Sequence, residues 1–134
     1  MKYLGISENE LQNIGGIHTA REIQQQPVVW QKIYDQVRKG AADIKRFLDE
    51  AIEEVDEIIL TGAGISAYIG ICLQGDFRNS FGVSTTAIPT TDLVTHPHHF
   101  FNKNKNVMLV SFTRSGCPSE IDEAFLTVCS VMPA

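Results

Sequence analysis

Residues 57–73 read EIILTGAGISAYIGICL, and they combine a short apolar strand, a glycine turn and a run that can form a helix. Four consecutive apolar or β-prone residues before the glycines favour a strand, and the glycines allow the backbone to turn tightly. A strand that leads through a tight turn into a helix is typical of α/β proteins. This stretch therefore predicts one strand and the following helix of a parallel sheet.

Two further segments have the same strand character. GVSTTAI (82–88) is ended by Pro89, and VMLVSF (107–112) is ended by a polar turn. Strands that alternate with helices form a parallel sheet with helices on both faces. The expected fold is α/β with three layers, α-β-α, in which residues 57–134 supply an incomplete domain.

Residues 1–56 are expected to form a separate N-terminal segment of charged helices. Thr19 and Glu22 fit a capping box at a helix start, and Pro27 fits the first turn of a following helix. Apolar residues then recur at helical spacing, which is most simply a face packed in a core. They are Trp30, Ile33, Tyr34 and Val37, followed by Ile44, Phe47, Leu48, Ala51 and Ile52. An interface with a second subunit explains the same pattern.

The composition argues against several classes of protein. The chain has 134 residues with 43% hydrophobic content, which suits one globular domain or a piece of one. A formal net charge of -5 argues against a general nucleic-acid binder. No apolar run reaches the roughly 18 residues of a membrane span, and the N-terminus lacks the apolar region of a signal peptide. Three separated cysteines without a CxxC pair predict reduced thiols and no zinc site. We expect a cytoplasmic protein with no metal and no cofactor.

The polar turns after the three strands form the candidate binding site. Ligands of open parallel sheets bind beyond the carboxyl ends of the strands, and all three turns fall there. These turns are 61–66, 89–96 and 113–119. In the first, Gly62 and Gly64 allow close approach of the backbone, and Ser66 is expected at a helix start, where the dipole attracts an anion. A glycine turn of this kind is often only a tight turn.

The third turn has the same chemistry as the first. Thr113 and Ser115 carry hydroxyls, and a helix is expected to begin near Ser119. Two such turns on the ends of neighbouring strands predict a small phosphorylated or otherwise anionic ligand.

Four blocks of the sequence occur together in the order of a known family. They read HTAREIQQQPVVW (18–30), LTGAGISAYIG (60–70), AIPTTDLVTHP (87–97) and LVSFTRSG (109–116). The chain resembles the tagatose-6-phosphate ketose/aldose isomerase family, whose members are built from sugar isomerase (SIS) domains. PTTDLVTHP is the most specific block, because no general turn rule requires it. The resemblance implies a SIS-like parallel sheet, and an enzyme that interconverts ketose and aldose phosphates, in some relatives with loss of an amino group.

The resemblance also implies which residues contact the ligand. The glycine turn would contact the sugar, and the hydroxyls of the third turn would contact the phosphate. The candidate binding residues are Gly62, Gly64, Ser66, Ser111, Thr113, Ser115 and Ser119. Thr90, Thr91 and Asp92 match the second turn of the family, and Arg114 and Gly116 match the third. Ile65 stands where the family has threonine, so one hydroxyl is absent.

The match stops after Gly116. The family continues Ser-Gly-Asn-Ser-Pro-Glu-Ser, whereas Cys117 and Pro118 here replace the Asn and the Ser that follows it. A phosphate-binding hydroxyl is lost unless Ser119 replaces it. Three strands are visible where the family's domain has five, and a second domain is missing. These departures predict a truncated or frame-shifted product, which the downstream coding DNA would reveal.

No residue can be assigned to catalysis. The reaction needs a base that moves a proton between C1 and C2, usually with a group that opens the sugar ring. The acids that precede residue 58 are typical of a solvated helix face, and the histidines of THPHHFF (95–101) are typical of a polar loop rather than a metal site. A non-catalytic SIS-type sugar-phosphate sensor is therefore an alternative function.

A sirtuin-like NAD-binding enzyme is a less favoured alternative. GAGIS followed by GDFR (75–78) is similar to the start of that family, but its paired CxxC motifs and its His-Gly motif are missing. It also leaves PTTDLVTHP unexplained. For the favoured family we expect a sugar-phosphate ligand and a homo-oligomer, because a three-stranded sheet has open edges and SIS domains commonly dimerise.

Overall fold

The computed structural model describes residues 1–113, and the chain divides into two compact units between Phe47 and Leu48. The elements of the first unit begin with β1 (Lys2–Tyr3), β2 (Ile6–Ser7), α1 (Glu8–Asn13) and α2 (Ile17–Lys39). Helix α3 (Ala41–Ile52) follows and contains the boundary. The second unit continues with β3 (Glu57–Gly62), α4 (Ile65–Phe81), β4 (Ser84–Ala87), α5 (Thr90–Thr95), a 3-10 turn (Pro97–His99) and β5 (Val107–Phe112). None of the helices within residues 1–113 combines the length and the apolar character needed to span a membrane.

The first unit has a small core beside a short hairpin. Strands β1 and β2 pair antiparallel, and Tyr3 packs against a core of Leu11, Ile17 and Ala20. Arg21 lies over the Tyr3 ring, with 5.3 Å from its guanidinium carbon to the ring centre. The sequence patterns do not predict this hairpin, because strands of two residues show no alternation.

Helix α2 is continuous, and the expected helix boundaries within it are wrong. The helix begins at Ile17 after Gly16 rather than at Thr19, and Pro27 lies inside it rather than in the first turn of another helix. Proline removes one backbone hydrogen bond from a helix interior. The residues just before Pro27, Arg21 to Gln26, are mostly good helix formers, and the helix continues past Pro27 to Lys39.

The apolar stripe of α2 is exposed, so its expected place in a core is also wrong. Trp30, Ile33, Tyr34 and Val37 are 62%, 51%, 57% and 52% exposed. Phe47 on α3 is exposed as well, whereas Leu48, Ala51 and Ile52 are half-buried. A helical period shows only that one face is apolar, and it does not show what covers that face.

The described part of the second unit, residues 48–113, is built on a parallel sheet of three strands in the order β4-β3-β5. Glu57 at the start of β3 stands beside Ser84 of β4 and Val107 of β5. Residues 58–62 of the central strand are buried. The strands lie where the sequence predicts them, and the expected α/β fold with a parallel sheet is confirmed.

Helices cover both faces of this sheet. Helix α4 packs closely against Leu60, because a Cβ atom on Gly70 would lie only 3.1 Å from the Leu60 Cβ. Ile59 points to the opposite face, where it packs with Ile88 and with Leu93 of α5. The layers are therefore α-β-α.

Polar contacts hold the amino ends of β3 and β5 together. The Asn106 N–H donates to the Asp56 carboxylate at 2.8 Å, and the Asn106 side-chain amide donates to the Glu54 carbonyl at 2.9 Å. Lys105 forms an ion pair with Glu57 at 3.0 Å. The other acids before β3 are exposed, as expected for a solvated run.

Side chains of α4 occupy the outer edge of β4. The Ala87 N–H donates to Gln74 Oε1 at 3.2 Å, and the Arg78 guanidinium donates to the Thr85 carbonyl at 2.8 Å. Both backbone groups face away from β3. Side chains that take up the polar groups of an edge strand hinder its pairing with another chain. The expected open edge is therefore closed on the β4 side.

Candidate functional site

The first candidate turn connects β3 to α4 and requires glycine at two positions. A Cβ atom on Gly62 would lie 2.7 Å from the carbonyl carbon of Ser66, which is too close for any side chain. Gly64 has a φ of 54° and a ψ of -122°, a conformation that residues with a Cβ rarely adopt. The turn thus brings the backbone of α4 directly against the end of the central strand.

Ser66 lies in the first turn of α4 with its backbone against Gly62. Its N–H donates to the Ala63 carbonyl at 3.1 Å, and the Ala67 N–H donates to the Gly64 carbonyl at 3.2 Å. These two N–H groups are used inside the turn. An anion at this helix start would therefore be bound by the preceding N–H groups, those of Gly64 and Ile65, rather than by the N–H of Ser66.

The second turn leads from β4 into α5. Its Thr90 is 1% exposed, and the Thr90 hydroxyl oxygen lies 3.2 Å from that of Thr61, which is also 1% exposed. Thr91 and Asp92, the other residues that match the family here, are exposed at the start of α5. The first and second turns are therefore linked by a buried pair of hydroxyls.

A cavity of about 570 Å³ lies beside these two turns. It is lined by Gly64, Ile65, Ala67, Tyr68, Ile71, Pro89 and Thr91. The volume falls within the range of about 300–1,000 Å³ that is usual for small-molecule sites. Gly64 and Thr91 bring the first and second turns to its wall, whereas Ser66 is not part of the lining.

The third turn lies only partly within the described residues. Ser111 stands beside Thr61 in the register of β5 and β3, so the two side chains share one face of the sheet. The Ser111 hydroxyl is buried and has no hydrogen-bond partner among residues 1–113. Buried polar groups nearly always have a partner, so this hydroxyl is suited to receive one from outside these residues. Thr113 is exposed.

The remaining candidates of the third turn lie outside the described residues. They are Ser115 and Ser119, together with Arg114, Gly116, Cys117 and Pro118. Their expected role in phosphate binding stays a prediction.

The histidines after α5 form a packed loop. The rings of His96 and His99 stack with 5.2 Å between their centres, and Phe100 meets His99 edge-on at 6.2 Å. His99 therefore packs between another histidine ring and a phenylalanine ring. Within residues 1–113, no three side chains of the His, Cys, Asp or Glu types come together as a possible metal site.

The sequence interpretation missed Thr61. Its hydroxyl stands at the end of an otherwise apolar strand, one residue before the glycine turn. A lone threonine in that place is ordinary for a strand, since threonine favours strands for its branched side chain. Only the contact with Thr90, 29 residues later, gives it a role.

Comparison with known proteins identifies the relatives of this chain. The solved structure of tagatose-6-phosphate ketose/aldose isomerase from Escherichia coli superposes with a TM-score of 0.76 and 34% sequence identity over 86% of this chain. The chain is homologous to the tagatose-6-phosphate ketose/aldose isomerase family. A second structure, from Clostridium novyi NT, with a provisional assignment to tagatose-6-phosphate ketose/aldose isomerase, gives a TM-score of 0.89 and 31% identity over 99% of this chain. No family model matches the chain.

A curated relative of this chain is named for an amino-sugar phosphate. D-galactosamine-6-phosphate deaminase AgaS from Shewanella sp. (strain ANA-3) is 37% identical over 115 residues, which is 83% of this chain. This chain spans 30% of that relative, and 32% and 34% of the two solved structures. The resemblance seen in the sequence is confirmed, and it extends to about a third of each relative's length.

Proposed function

We propose that this chain forms the sugar-phosphate-binding part of a ketose/aldose phosphate isomerase or amino-sugar-phosphate deaminase. The observation that carries the proposal is the buried Ser111 hydroxyl, which has no partner among residues 1–113. It lies at the carboxyl end of β5, at the sheet edge where the ligands of parallel sheets bind. The homology to proteins named for sugar phosphates supplies the class of ligand.

The ligand would use two kinds of protein group. The glycine turn of Gly62 and Gly64 presents the helix start of α4, and the adjacent cavity can hold a sugar ring. The hydroxyls of Ser111, Thr113, Ser115 and Ser119 are suited to phosphate oxygens, because a hydroxyl donates one hydrogen bond to an anion. Ser66 supports the turn through its backbone and is a candidate for a further contact.

We assign no catalytic base. A chain that binds the ligand without converting it would act as a sugar-phosphate sensor. Two assays distinguish these functions. One measures ammonia release from D-galactosamine 6-phosphate, and the other measures isomerisation of D-tagatose 6-phosphate. Conversion favours the enzyme, whereas binding alone favours the sensor.

The apolar face of α2 supports a second part of the proposal, self-association with another copy of this chain. One side of α2 exposes six large apolar side chains, those of Ile23, Val29, Trp30, Ile33, Tyr34 and Val37. Together they offer several hundred Å² of apolar surface, near the roughly 800 Å² per partner of a stable complex. We further propose a cytoplasmic location, because phosphorylated sugars are charged and stay where they are made.

The experiment that tests the proposal is calorimetric titration of the full 134-residue chain. D-galactosamine 6-phosphate and D-tagatose 6-phosphate are the ligands, and the same sugars without phosphate are the controls. We expect binding of a phosphorylated sugar only. Binding of NAD with no response to either phosphate would overturn the proposal.

Ser111→Ala sharpens this test. It removes a hydroxyl without a partner among residues 1–113, so stability should be unchanged or slightly higher, while affinity for the sugar phosphate falls. Ser84→Ala at the amino end of β4 is the matched control and should change neither. Ser115→Ala should weaken phosphate binding by roughly 1–2 kcal/mol, the scale of one hydrogen bond. Unchanged affinity in both Ser111→Ala and Ser115→Ala would remove the third turn from the site.

A further inference from the structure

The backbone ladder between β3 and β4 ends just before the candidate site. Its last bond is donated by the Ile88 N–H to the Leu60 carbonyl at 2.9 Å. Pro89 follows, and α5 begins at Thr90, so the chain leaves the sheet at this point. Beyond this point the two chain segments separate, one into the glycine turn and the other into α5.

A pair of side chains bridges the segments beyond the end of the ladder. The hydroxyl oxygens of Thr61 and Thr90 lie 3.2 Å apart, and either hydroxyl can donate to the other. Both residues are 1% exposed, so water does not compete strongly for this bond. The bond joins the residue directly before Gly62 to the first residue of α5.

Both joined segments carry residues of the cavity wall. Gly64 is three residues after Thr61, and Thr91 directly follows Thr90. Pro89 on the other side of Thr90 also lines the cavity. A change in the separation of these two backbone segments would therefore change the width of this cavity.

We propose that Thr61 and Thr90 are positioning residues, whose hydroxyl–hydroxyl bond holds the glycine turn and the start of α5 at a fixed separation for the ligand. Neither needs to touch the ligand, since both are buried behind the turns that do. The mechanical part of this proposal stands on the geometry alone. The part that concerns the ligand rests on the proposed sugar-phosphate binding.

Hydrogen exchange on the full ligand-free chain tests the mechanical part. The reporter amides are those of Ser66 and Ala67 in the first turn, and those of Asp92 and Leu93 in the second, all of which have defined acceptors. Thr61→Val keeps the shape of the side chain and removes the hydroxyl. We expect it to speed exchange at Asp92 and Leu93, and Thr90→Val to speed exchange at Ser66 and Ala67.

Three variants make this test specific. Thr61→Ser and Thr90→Ser keep the hydroxyl and should exchange like the parent chain. Thr95→Val removes a hydroxyl that donates to the Thr91 carbonyl at 2.8 Å, so it loosens α5 without touching the bridge. The Thr95→Val variant should leave the exchange rates of the Ser66 and Ala67 amides unchanged. If Thr61→Val speeds exchange only in the first turn and Thr90→Val only in the second, the two turns are not coupled and the proposal is wrong.

Ligand affinity tests the remaining part. In the double variant Thr61→Val with Thr90→Val, no hydroxyl is left without its partner, so the denaturation midpoint should return close to that of the parent chain. Its affinity for D-galactosamine 6-phosphate should still be about five- to tenfold lower, the factor that corresponds to one hydrogen bond. Parent-like affinity in this double variant would show that the bond serves folding only.

The two proposals fail in different ways. A parent chain that binds no sugar phosphate contradicts the proposed function, and the exchange data then still decide whether the turns are coupled. A parent chain that binds, with a double variant that binds equally well, contradicts the positioning role alone.

Discussion

Gly62 and Ser66 approach so closely that a single added methyl group on Gly62 would overlap the Ser66 carbonyl carbon, at a distance of 2.7 Å. Gly62→Ala should therefore push the first turn of α4 away from β3. We expect a loss of about 1–3 kcal/mol in the free energy of unfolding, the usual effect of overpacking. Chemical denaturation followed by circular dichroism measures it.

Gly75 in the middle of the same helix is the matched control. A Cβ there meets no atom within 4 Å, and the residue lies in regular helix. Gly75→Ala should stabilise the protein by about 0.5–1 kcal/mol, because alanine loses less backbone entropy on folding. Equal effects of the two substitutions would contradict the close contact at Gly62.

Ile65 stands where the related family has threonine, so a substitution here tests whether that hydroxyl contacts the ligand. Its side chain is 84% exposed at the start of α4 and lines the cavity, so a polar replacement should hardly change stability. Ile65→Thr should raise the affinity for a sugar phosphate several-fold by adding one hydrogen-bond donor. Ile65→Val introduces a side chain with the shape of threonine but without the hydroxyl, and it should not raise the affinity. Equal affinities of the threonine and valine variants in calorimetry would exclude a ligand contact at this position.

The edge of β4 should pair with other chains more readily when its two side-chain partners are removed. Gln74→Ala together with Arg78→Ala leaves the Ala87 N–H and the Thr85 carbonyl without their partners from α4. We expect more aggregation and a larger mean mass in light scattering, because an unprotected edge pairs with other chains. Asn79→Ala, on the same helix, is the control. A double variant that scatters like the parent chain would show that the edge needs no such cover.

Trp30 can report on the proposed self-association, since it is the one tryptophan in the sequence and is 62% exposed. If a second copy covers the apolar face of α2, tryptophan emission should shift to shorter wavelength as the protein concentration rises. Ile33→Glu places a charge on this face and should abolish the shift. Lys32→Gln changes the net charge by the same amount on another side of the helix, and it should keep the shift. An emission spectrum independent of concentration in the parent chain speaks against this interface.

Local signals in the sequence were enough to predict the sheet. The glycines at 62 and 64 end β3, and Pro89 ends the segment of β4, since each acts through its own backbone. The order of strand, turn and helix then limits the topology to a parallel sheet. The same signals placed the glycine turn at the carboxyl edge of this sheet.

Contacts between distant residues could not be predicted in this way. Thr61 meets Thr90, and Gln74 meets Ala87, only after the chain has folded. The stripe around Trp30 was misassigned to a core, because helical spacing identifies an apolar face without identifying its partner. The boundaries in α2 were wrong because a favourable helix can continue through Pro27.

The bonds from Gln74 and Arg78 to the outer edge of β4 also have a consequence for synthesis on the ribosome. Arg78 and Gln74 are only 7 and 13 residues away from the strand residues they bind, and both precede the strand. Contacts so close in sequence form early in folding. Gln74 and Arg78 therefore emerge from the ribosome before β4 itself does. The strand can be shielded from neighbouring nascent chains while β5 is still being made.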